Sequence, residues 1–366
     1  MKRWHFKLPA AIAHPARALP LVFAALILLG TALLKLPVMR SGDHAPTWMD
    51  ALFTATSAIT VTGLTAVDIN EYWSLPGHIV ILILVEIGGL GIIAMATLLA
   101  MLAVQVDLHV TNVGDVAPLF KRIALTMLSF QAVTAIYLTF RYRQNYDDSW
   151  VDAAWQGLFD AVMAFNNAGF SLNSDSLGRY SGDFAVIVPL GIVVFFGAVG
   201  FPVLAELYSH WRKPSSWTIH TRLTVGGSIG LVFVGLAAFF AFEWANPATL
   251  AGHSWSSKLL TAFEASIMPR SGGLSSFDWS QVTGETQNFT SILMFIGGGS
   301  ASTAGGIKIT TFLLLAYVIL AELRGDAEVR IGVRSVGSAT VRTALSIALI
   351  AVAMVTGTTL ILMTVT

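Results

Sequence analysis

Apolar runs as long as a bilayer is thick recur along this chain, and they restrict its possible folds more than any other feature. The runs cover, approximately, residues 18–38, 77–104, 119–140, 184–208, 223–243 and 343–365. Each is close to the roughly 20 residues that a helix needs to cross a membrane. Charged residues make up 11% of the 366 residues, against about 25% in a soluble domain. The sequence therefore predicts an all-α polytopic membrane protein in contact with lipid.

Composition excludes several classes of function. The 21 basic residues equal the 21 acidic ones, which gives no support to a nucleic-acid partner. The absence of cysteine excludes disulfides, thiolate metal sites and cysteine nucleophiles. An intramembrane hydrolase would need paired aspartates, a Ser–His pair or an HExxH motif on facing spans, and none is present. We therefore predict that the chain is not an enzyme and carries no cofactor.

A seventh apolar segment, about 289–323, is interrupted by "IGGGSASTAGGIKITTF". As one straight helix it would measure roughly 50 Å, against a hydrocarbon core of about 30 Å. Irregular backbone survives in a bilayer only beside protein or a water-filled cavity. The run does not match GxxxxGK[ST], because Ile309 follows Lys308. We expect residues 297–308 to be non-helical and flexible and to line a pathway.

Basic residues predict the orientation. They are concentrated before the first span and in alternate loops: Lys2, Arg3, Lys7, Arg17, Lys121, Arg122, Arg212, Lys213, Arg222, Arg324, Arg330, Arg334 and Arg342. The positive-inside rule then places the N-terminus in the cytoplasm.

Three shorter semi-apolar stretches, at about 47–60, 152–166 and 256–269, lie between the spans and contain a repeat. The repeated sequences are "FTATSAITVTGLT", "FDAVMAFNNAGFS" and "FEASIMPRSGGLS". In each sequence, Phe stands ten residues and Ala eight residues before a glycine. The glycine is followed by Leu or Phe and then by Ser or Thr. The glycines are Gly63, Gly169 and Gly273, 106 and 104 residues apart. Each unit is therefore predicted to consist of a span, a short helix, a glycine turn and a second span.

This repeat favours a cation pore. Two crossings per unit return the chain to its starting side, so successive units share one orientation, unlike the inverted repeats of many secondary transporters. The C-terminal end of a short helix attracts cations, and glycine lets successive carbonyls line a narrow path. The alternatives are that the glycines only permit turns or close packing, or that the chain carries an organic solute.

The motifs "TVTGLT", "NNAGFS", "PRSGGLSS" and "GGGSASTAGGIKITTF" resemble the Trk/Ktr/HKT superfamily of potassium transporters, especially the bacterial Trk and Ktr membrane subunits. The resemblance extends over essentially the whole chain. It implies potassium uptake across the cell (inner) membrane through a pseudo-fourfold pore within one polypeptide. It also implies a homodimer, a cytosolic nucleotide-binding regulatory subunit, and an intramembrane gate below the filter.

Carried onto this sequence, the resemblance predicts two sets of site residues. The filter set is Thr60, Val61, Thr62, Gly63, Asn166, Asn167, Ala168, Gly169, Arg270, Ser271, Gly272 and Gly273, with potassium bound at carbonyls. The gate set is Gly297, Gly298, Gly299, Ser300, Ala301, Ser302, Thr303, Ala304, Gly305, Gly306 and Lys308. The predicted units are 1–112, 113–216, 217–330 and 331–366, the last being the first helix of an incomplete fourth repeat.

Three points have competing interpretations. Lys308 either acts on the ion or the gate, or only snorkels or pairs with a carboxylate. Arg270 either repels cations or, as we favour, caps the carbonyl end of its helix and braces the loop. Sodium is the alternative ion. In the plant branch of the superfamily serine at the first filter glycine accompanies sodium preference, so Gly63 favours potassium.

The repeat also raises an expectation about the C-terminal side. One further step of about 105 residues would place a fourth glycine loop near residue 378, beyond Thr366. A three-sided filter would expose loop carbonyls to lipid. We therefore expect the sequence to be a C-terminally truncated form that does not conduct alone, unless another chain supplies the fourth side.

Overall fold

A computed structural model describes residues 15–42, 45–108, 116–326, 328–332 and 334–365. Within these ranges the chain is mostly helical. The one sheet described is a two-stranded antiparallel pair, β1 (Arg330–Ile331) with β2 (Arg334–Ser335). The helical content agrees with the all-α prediction.

The helices fall into three groups of similar order, followed by a last helix. The first group is α1 (Pro15–Leu34), α2 (Trp48–Ile59), α3 (Ile69–Tyr72) and α4 (Leu75–Leu108). The second is α5 (Val116–Asn145), α6 (Trp150–Asn166), α7 (Phe184–Val199) and α8 (Phe201–His210). The third is α9 (Ile219–Glu243), α10 (Trp255–Ile267), α11 (Gly284–Phe295) and α12 (Ile309–Arg324), and α13 (Ser338–Val365) follows. The three short stretches identified in the sequence are therefore helical, in α2, α6 and α10.

Each short helix packs on the long helix that precedes it, so that α1 contacts α2, α5 contacts α6, and α9 contacts α10. Neighbouring groups meet through their short helices as well, with α4 against α6 and α7 against α10. Most buried apolar side chains lie at these contacts, including Trp73, Phe159 and Phe170. This arrangement brings the ends of the short helices toward one place.

Four of the described helical segments are long and apolar enough to cross a membrane: Leu75–Thr97, Pro118–Asn145, Ile219–Glu243 and Ser338–Thr364. The predicted first span corresponds to α1, whose apolar segment Pro20–Leu34 is shorter than the others. Helix α13 packs on α12 and leaves most of its apolar side chains exposed.

The predicted span at 184–208 is not one straight helix. The chain breaks at Gly200, which has a φ of 91°, and α7 and α8 meet there at an angle of 104°. Pro202 follows at the second position of α8, where its missing N–H costs no helical hydrogen bond. A glycine in the left-handed region followed by a proline that restarts the helix accounts for the bend.

The interrupted segment is confirmed as non-helical between α11 and α12. Its two flanking helices have 12 and 16 residues. Of the predicted unit boundaries, residue 112 lies outside the described ranges. The basic residues Lys2, Arg3 and Lys7 also lie outside them, whereas Arg17 lies in α1. The boundaries at 216 and 330 fall between α8 and α9 and at β1.

Candidate ion pathway

The three short helices begin in the same way. The side chains of Thr47, Ser149 and Ser254 each accept a hydrogen bond from the backbone N–H three residues later, which satisfies one of the unpaired donors of the first turn. A tryptophan follows each cap. At α2 the hydroxyls of Thr47 and Tyr72 also donate to Asp50 at 2.6 Å, and these bonds hold the pKa of the Asp50 carboxyl below its ordinary value. The repeat thus includes the first residues of the three helices. The sequence contains this pattern of Ser or Thr followed by Trp, but the alignment of the glycines did not extend to it.

The loops that end these helices share one backbone conformation. Positive φ values occur at the glycine and two residues before it: Val61 53° and Gly63 79°, Asn167 56° and Gly169 72°, Ser271 87° and Gly273 73°. Residues other than glycine rarely adopt such values, and each costs of order 1–3 kcal/mol. Because the earlier position holds three different side chains, the shared feature is the path of the backbone rather than a side-chain motif.

The three loops lie next to one another. A Cβ atom added to Gly63 would lie 2.1 Å from the carbonyl oxygen of Ala168. One added to Gly169 would lie 3.2 Å from the Cα of Gly273, and one added to Gly273 would lie 2.7 Å from the Cα of Gly169. The second loop therefore contacts both of the others, and no side chain fits at the contacts.

Backbone hydrogen bonds fold each loop onto the end of its helix. The N–H of Thr62 donates to Ser57 at 2.8 Å, and that of Ala168 donates to Met163 at 2.9 Å. In the third loop the corresponding bond is shifted by one residue, from Gly273 to Met268 at 3.0 Å. The carbonyl ends of three helices, with their partial negative charge, thus reach the place where the loops meet.

In the first loop the two threonine side chains bond locally. The hydroxyl of Thr60 lies 2.7 Å from the carbonyl of Thr56 and 2.7 Å from the hydroxyl of Thr62. Both threonines are exposed, whereas Val61 is buried. The side chains of the first loop therefore stay close to its own helix.

The two asparagines of the second loop are buried and bond to other elements. Asn166 donates to the Glu86 carboxylate on α4 at 2.9 Å. Asn167 donates to the hydroxyl of Thr303 at 2.9 Å. Their amides therefore connect the second loop to helix α4 and to the interrupted segment.

In the third loop, Arg270 is 4% exposed and donates to the carbonyls of Ser228 and Gly297, both at 3.3 Å. These bonds reach α9 and the interrupted segment rather than the end of its own helix, so Arg270 braces other elements instead of capping α10. Ser271 accepts a hydrogen bond from the backbone N–H of Gly305 at 3.0 Å. Gly272 packs against Val194 and Met268.

Residues 297–308, here called the intramembrane loop, form a closed excursion between α11 and α12. Ile296 pairs in parallel with Ile307 at its base. The N–H of Gly297 donates to Ile307 at 2.9 Å, and that of Ile307 donates to Phe295 at 3.0 Å. The N–H of Ile309 donates to Gly298 at 2.9 Å. The loop is therefore anchored at both ends by backbone hydrogen bonds.

The middle of the intramembrane loop fits into the break between α7 and α8. The N–H of Gly299 donates to Ala198 at 2.7 Å, and the N–H of Phe201 donates to Ala301 at 3.0 Å. A Cβ on Gly200 would lie 2.4 Å from the carbonyl oxygen of Ser300. The bend that the sequence did not predict is thus the space that receives this loop.

Thr303 connects the intramembrane loop to the second glycine loop. Its hydroxyl accepts from Asn167 and lies 3.1 Å from the carbonyls of both Phe165 and Gly197. Ser302 and Ala304 are buried beside it, whereas Gly305 and Gly306 are exposed. Together with the bonds of Arg270 and Ser271, Thr303 places this loop directly against the second and third glycine loops.

Lys308 closes the intramembrane loop on itself. Its ammonium group donates to the carbonyl of Ala304 at 2.7 Å. No carboxylate is paired with it in the part of the chain that the structure describes. The geometry therefore connects Lys308 with the shape of the loop rather than with an acidic partner.

Four glutamates in or near the spans have neutral partners. Glu86 accepts from Gln131 and Asn166, Glu206 from Thr218 and Thr221, Glu243 from Asn246, Thr249, Thr283 and Thr286, and Glu264 from Ser276. Among the described residues, no cluster of three His, Asp or Glu side chains could hold a resident metal ion. The arrangement suits passage of a cation past carbonyl oxygens better than chemistry at side chains.

The chain is similar to known cation transport proteins. A family model described as a cation transport protein, TrkH, matches residues 5–366. The chain is 37% identical over 333 residues to Ktr system potassium uptake protein B of Bacillus subtilis, covering 88% of this chain and 74% of that one. It is 34% identical over 359 residues to Ktr system potassium uptake protein B of Vibrio alginolyticus, covering 95% and 78%.

The fold has a solved counterpart. The crystal structure of the potassium transporter TrkH from Vibrio parahaemolyticus superposes with a TM-score of 0.70, covering 94% of this chain and 69% of that one, at 18% sequence identity. This similarity concerns the fold alone. The family match over nearly the whole sequence and the two relatives above 30% identity go further, and they show that the chain belongs to the TrkH family of cation transport proteins.

Proposed function

We propose that this protein takes up potassium across the cell membrane through a filter formed by the backbone carbonyls of the three glycine loops. The observation that carries the proposal is the contact of Gly63 with Ala168 and of Gly169 with Gly273. Loops of equal conformation, at the carbonyl ends of three helices, supply the oxygen atoms that can replace the hydration shell of a monovalent cation. The names of the relatives, which are potassium uptake proteins, support potassium as the ion.

Two alternatives make different predictions. An organic solute would need a midplane pocket, but the second loop touches both of its neighbours so closely that a Cβ would not fit. Sodium would pass through the same kind of carbonyl path. In the superfamily that the sequence resembles, a glycine at position 63 favours potassium as the transported ion. Uptake measurements distinguish potassium transport from sodium transport.

The intramembrane loop is proposed as the gate. It contacts the second glycine loop through Thr303 and the third through Gly305 and Gly297. A segment held by hydrogen bonds directly beside the filter can block the path in one position and clear it in another. Shortening residues 297–306 in the full-length protein is expected to raise ion flux, and unchanged flux in a folded variant would argue for a packing role.

The proposed setting is the bacterial inner membrane, with the N-terminus in the cytoplasm. The basic residues of alternate loops support that orientation. A homodimer and a cytosolic nucleotide-binding regulatory subunit are proposed on the family resemblance. Both relatives carry the name Ktr system potassium uptake protein B. A name of this form fits a membrane component that works with other proteins of the same system.

The direct test is uptake by transport-deficient cells that express the full-length gene, with potassium, rubidium and sodium compared. The proposal expects uptake of potassium and rubidium in preference to sodium. Gly63→Ser should lower the preference for potassium over sodium, because its Cβ would displace the carbonyl of Ala168. Uptake of sodium alone, or unchanged selectivity and rate in variants of all three glycines, would contradict the assignment.

A further inference from the structure

The three repeats differ at one buried position behind the glycine loops. Nine residues before each glycine, immediately after the repeated phenylalanine, stand Thr54, Asp160 and Glu264. Their exposed fractions are 1%, 0% and 1%. Two of the three positions therefore place an acid inside the protein, where a carboxylate is costly unless it is hydrogen-bonded.

In the third repeat the acid bonds to its own glycine loop. One oxygen of Glu264 accepts the backbone N–H of Ser276 at 2.5 Å, and the other accepts the Ser276 hydroxyl at 2.5 Å. Ser276 lies three residues after Gly273, on the segment that leaves the loop. Two hydrogen bonds from Ser276 to the two oxygens of one side chain fix the distance between helix α10 and the outgoing chain.

The same segment is held from the other side by the second repeat. The N–H of Ser275 donates to the hydroxyl of Ser176 at 3.1 Å, and the carbonyl of Ser275 accepts from the N–H of Leu177 at 2.8 Å. Residues 275 and 276 are therefore clamped between Glu264 and the neighbouring repeat. Gly273 has little freedom to move outward while both sets of bonds are in place.

The second and first repeats lack this clamp. Asp160, whose side chain is one methylene shorter, accepts from the hydroxyl of Tyr142 at 2.8 Å and from Gln156. It therefore joins α6 to α5 rather than to its own loop. The hydroxyl of Thr54 has no hydrogen-bond partner among the described residues. Among the described residues, a hydrogen bond from this position of the short helix to the residues directly after the glycine is thus found in the third repeat and not in the other two.

We propose that Glu264 is a positioning residue that holds the third glycine loop in its selective conformation. The proposal rests on the proposed function and names a specificity-determining residue for it. Glu264 lies behind the loop and reaches the ion path only through Ser276 and the backbone. Losing the carboxylate should therefore change the discrimination between ions more than the amount of folded protein.

The test compares Glu264→Ala, Glu264→Gln and Ser276→Ala in the full-length protein, with potassium and sodium uptake measured in parallel. Glu264→Ala is expected to lower the potassium-to-sodium ratio about tenfold, which corresponds to about 1.4 kcal/mol. Glu264→Gln keeps one oxygen for the Ser276 N–H and should lie between Glu264→Ala and wild type. Ser276→Ala loses only the hydroxyl bond and should have the smallest effect.

Glu243→Gln is the matched control, because Glu243 is equally buried in the same repeat but bonds to Asn246 and three threonines outside the glycine loop. It should alter the yield of folded protein and leave the ion ratio unchanged. If Glu264→Ala does not fold, Glu264→Gln and Ser276→Ala decide the question. Wild-type ratios in the folded variants would overturn the role of Glu264, whereas a wild-type protein without potassium uptake would refute the proposed function itself.

Discussion

The glycine loops and the intramembrane loop are both rich in glycine, but they use it for different physical reasons. Gly63, Gly169 and Gly273 have φ values of 72–79° that other residues rarely adopt. Gly297, Gly298 and Gly299 have no positive φ. Their hydrogen atoms instead face carbonyl oxygens, which a Cβ would approach to 1.6, 2.3 and 2.2 Å. Glycine therefore permits both an unusual backbone and close contacts in the first region. In the second it mainly permits close contacts, and only Gly306 has a positive φ, 74°.

This difference changes the interpretation of the intramembrane loop. The sequence predicts a flexible barrier, because small residues move cheaply. The described loop is non-helical as predicted, but it is anchored at its base, in the bend at Gly200 and at Thr303. If it gates, opening requires breaking identifiable hydrogen bonds rather than moving a loose segment. The predictions below test that distinction, from the largest expected effect to the smallest.

Replacing a glycine in the filter should have the largest effect. Gly169→Ala places a Cβ at a φ of 72° and 3.2 Å from the Cα of Gly273. We expect rubidium uptake to fall at least about a hundredfold, since strain of about 1–3 kcal/mol adds to displacement of the neighbouring loop. Initial uptake rates in transport-deficient cells measure this. Gly230→Ala is the control, because nothing lies within 4 Å of its added Cβ. Near-normal uptake by folded Gly169→Ala would show that the glycine loops do not line the ion path.

Within the intramembrane loop, substitution of two glycines should have unequal effects. Gly299→Ala drives a methyl group to 2.2 Å from the carbonyl of Val199 and should push the loop away from α7. Gly305→Ala meets only the Ser271 hydroxyl oxygen, at 3.8 Å. We expect uptake to rise about tenfold in the first variant, as a shift of about 1.4 kcal/mol toward the displaced loop would produce, and to stay near wild type in the second. Equal uptake by both folded variants would mean that close packing does not hold a gate shut.

Removing the Thr303 hydroxyl tests the connection between the two regions. Thr303→Val keeps the shape but removes the bonds to Asn167 and to the carbonyls of Phe165 and Gly197. At about 0.5–1.5 kcal/mol for each hydrogen bond, uptake should rise severalfold. Ser302→Ala is the comparison, because Ser302 bonds only to Gly299 within the same loop. If the two substitutions change uptake equally, the contact with Asn167 has no special part in gating.

The sequence predicted the parts of this site that depend on local patterns. The short helices, their glycine turns and the interruption of the seventh segment follow from apolar periodicity and from small residues in a membrane-length run. The bend at Gly200 was not predicted, because "VVFFGAVGFPVLA" is apolar throughout. The Gly-Phe-Pro order is the signal that indicates it. The Asn167–Thr303 bond joins residues 136 positions apart. Contacts of that kind depend on how the repeats pack, which no local pattern contains.

The smallest effect is expected at Lys308, where the loop closes on itself. Lys308→Met removes both the bond to the Ala304 carbonyl and a positive charge beside the loop. Because Lys308 is only partly buried and solvent screens its charge, loss of this bond should cost about 0.5 kcal/mol and raise uptake about two- to threefold. Lys308→Arg keeps the charge and separates the two causes. If Lys308→Arg matches wild type, a positive charge at this position is enough to hold the loop. If it matches Lys308→Met, the fit of the lysine ammonium to the Ala304 carbonyl is responsible. Lower uptake in Lys308→Met would show that the ammonium keeps the path open, contrary to the geometry.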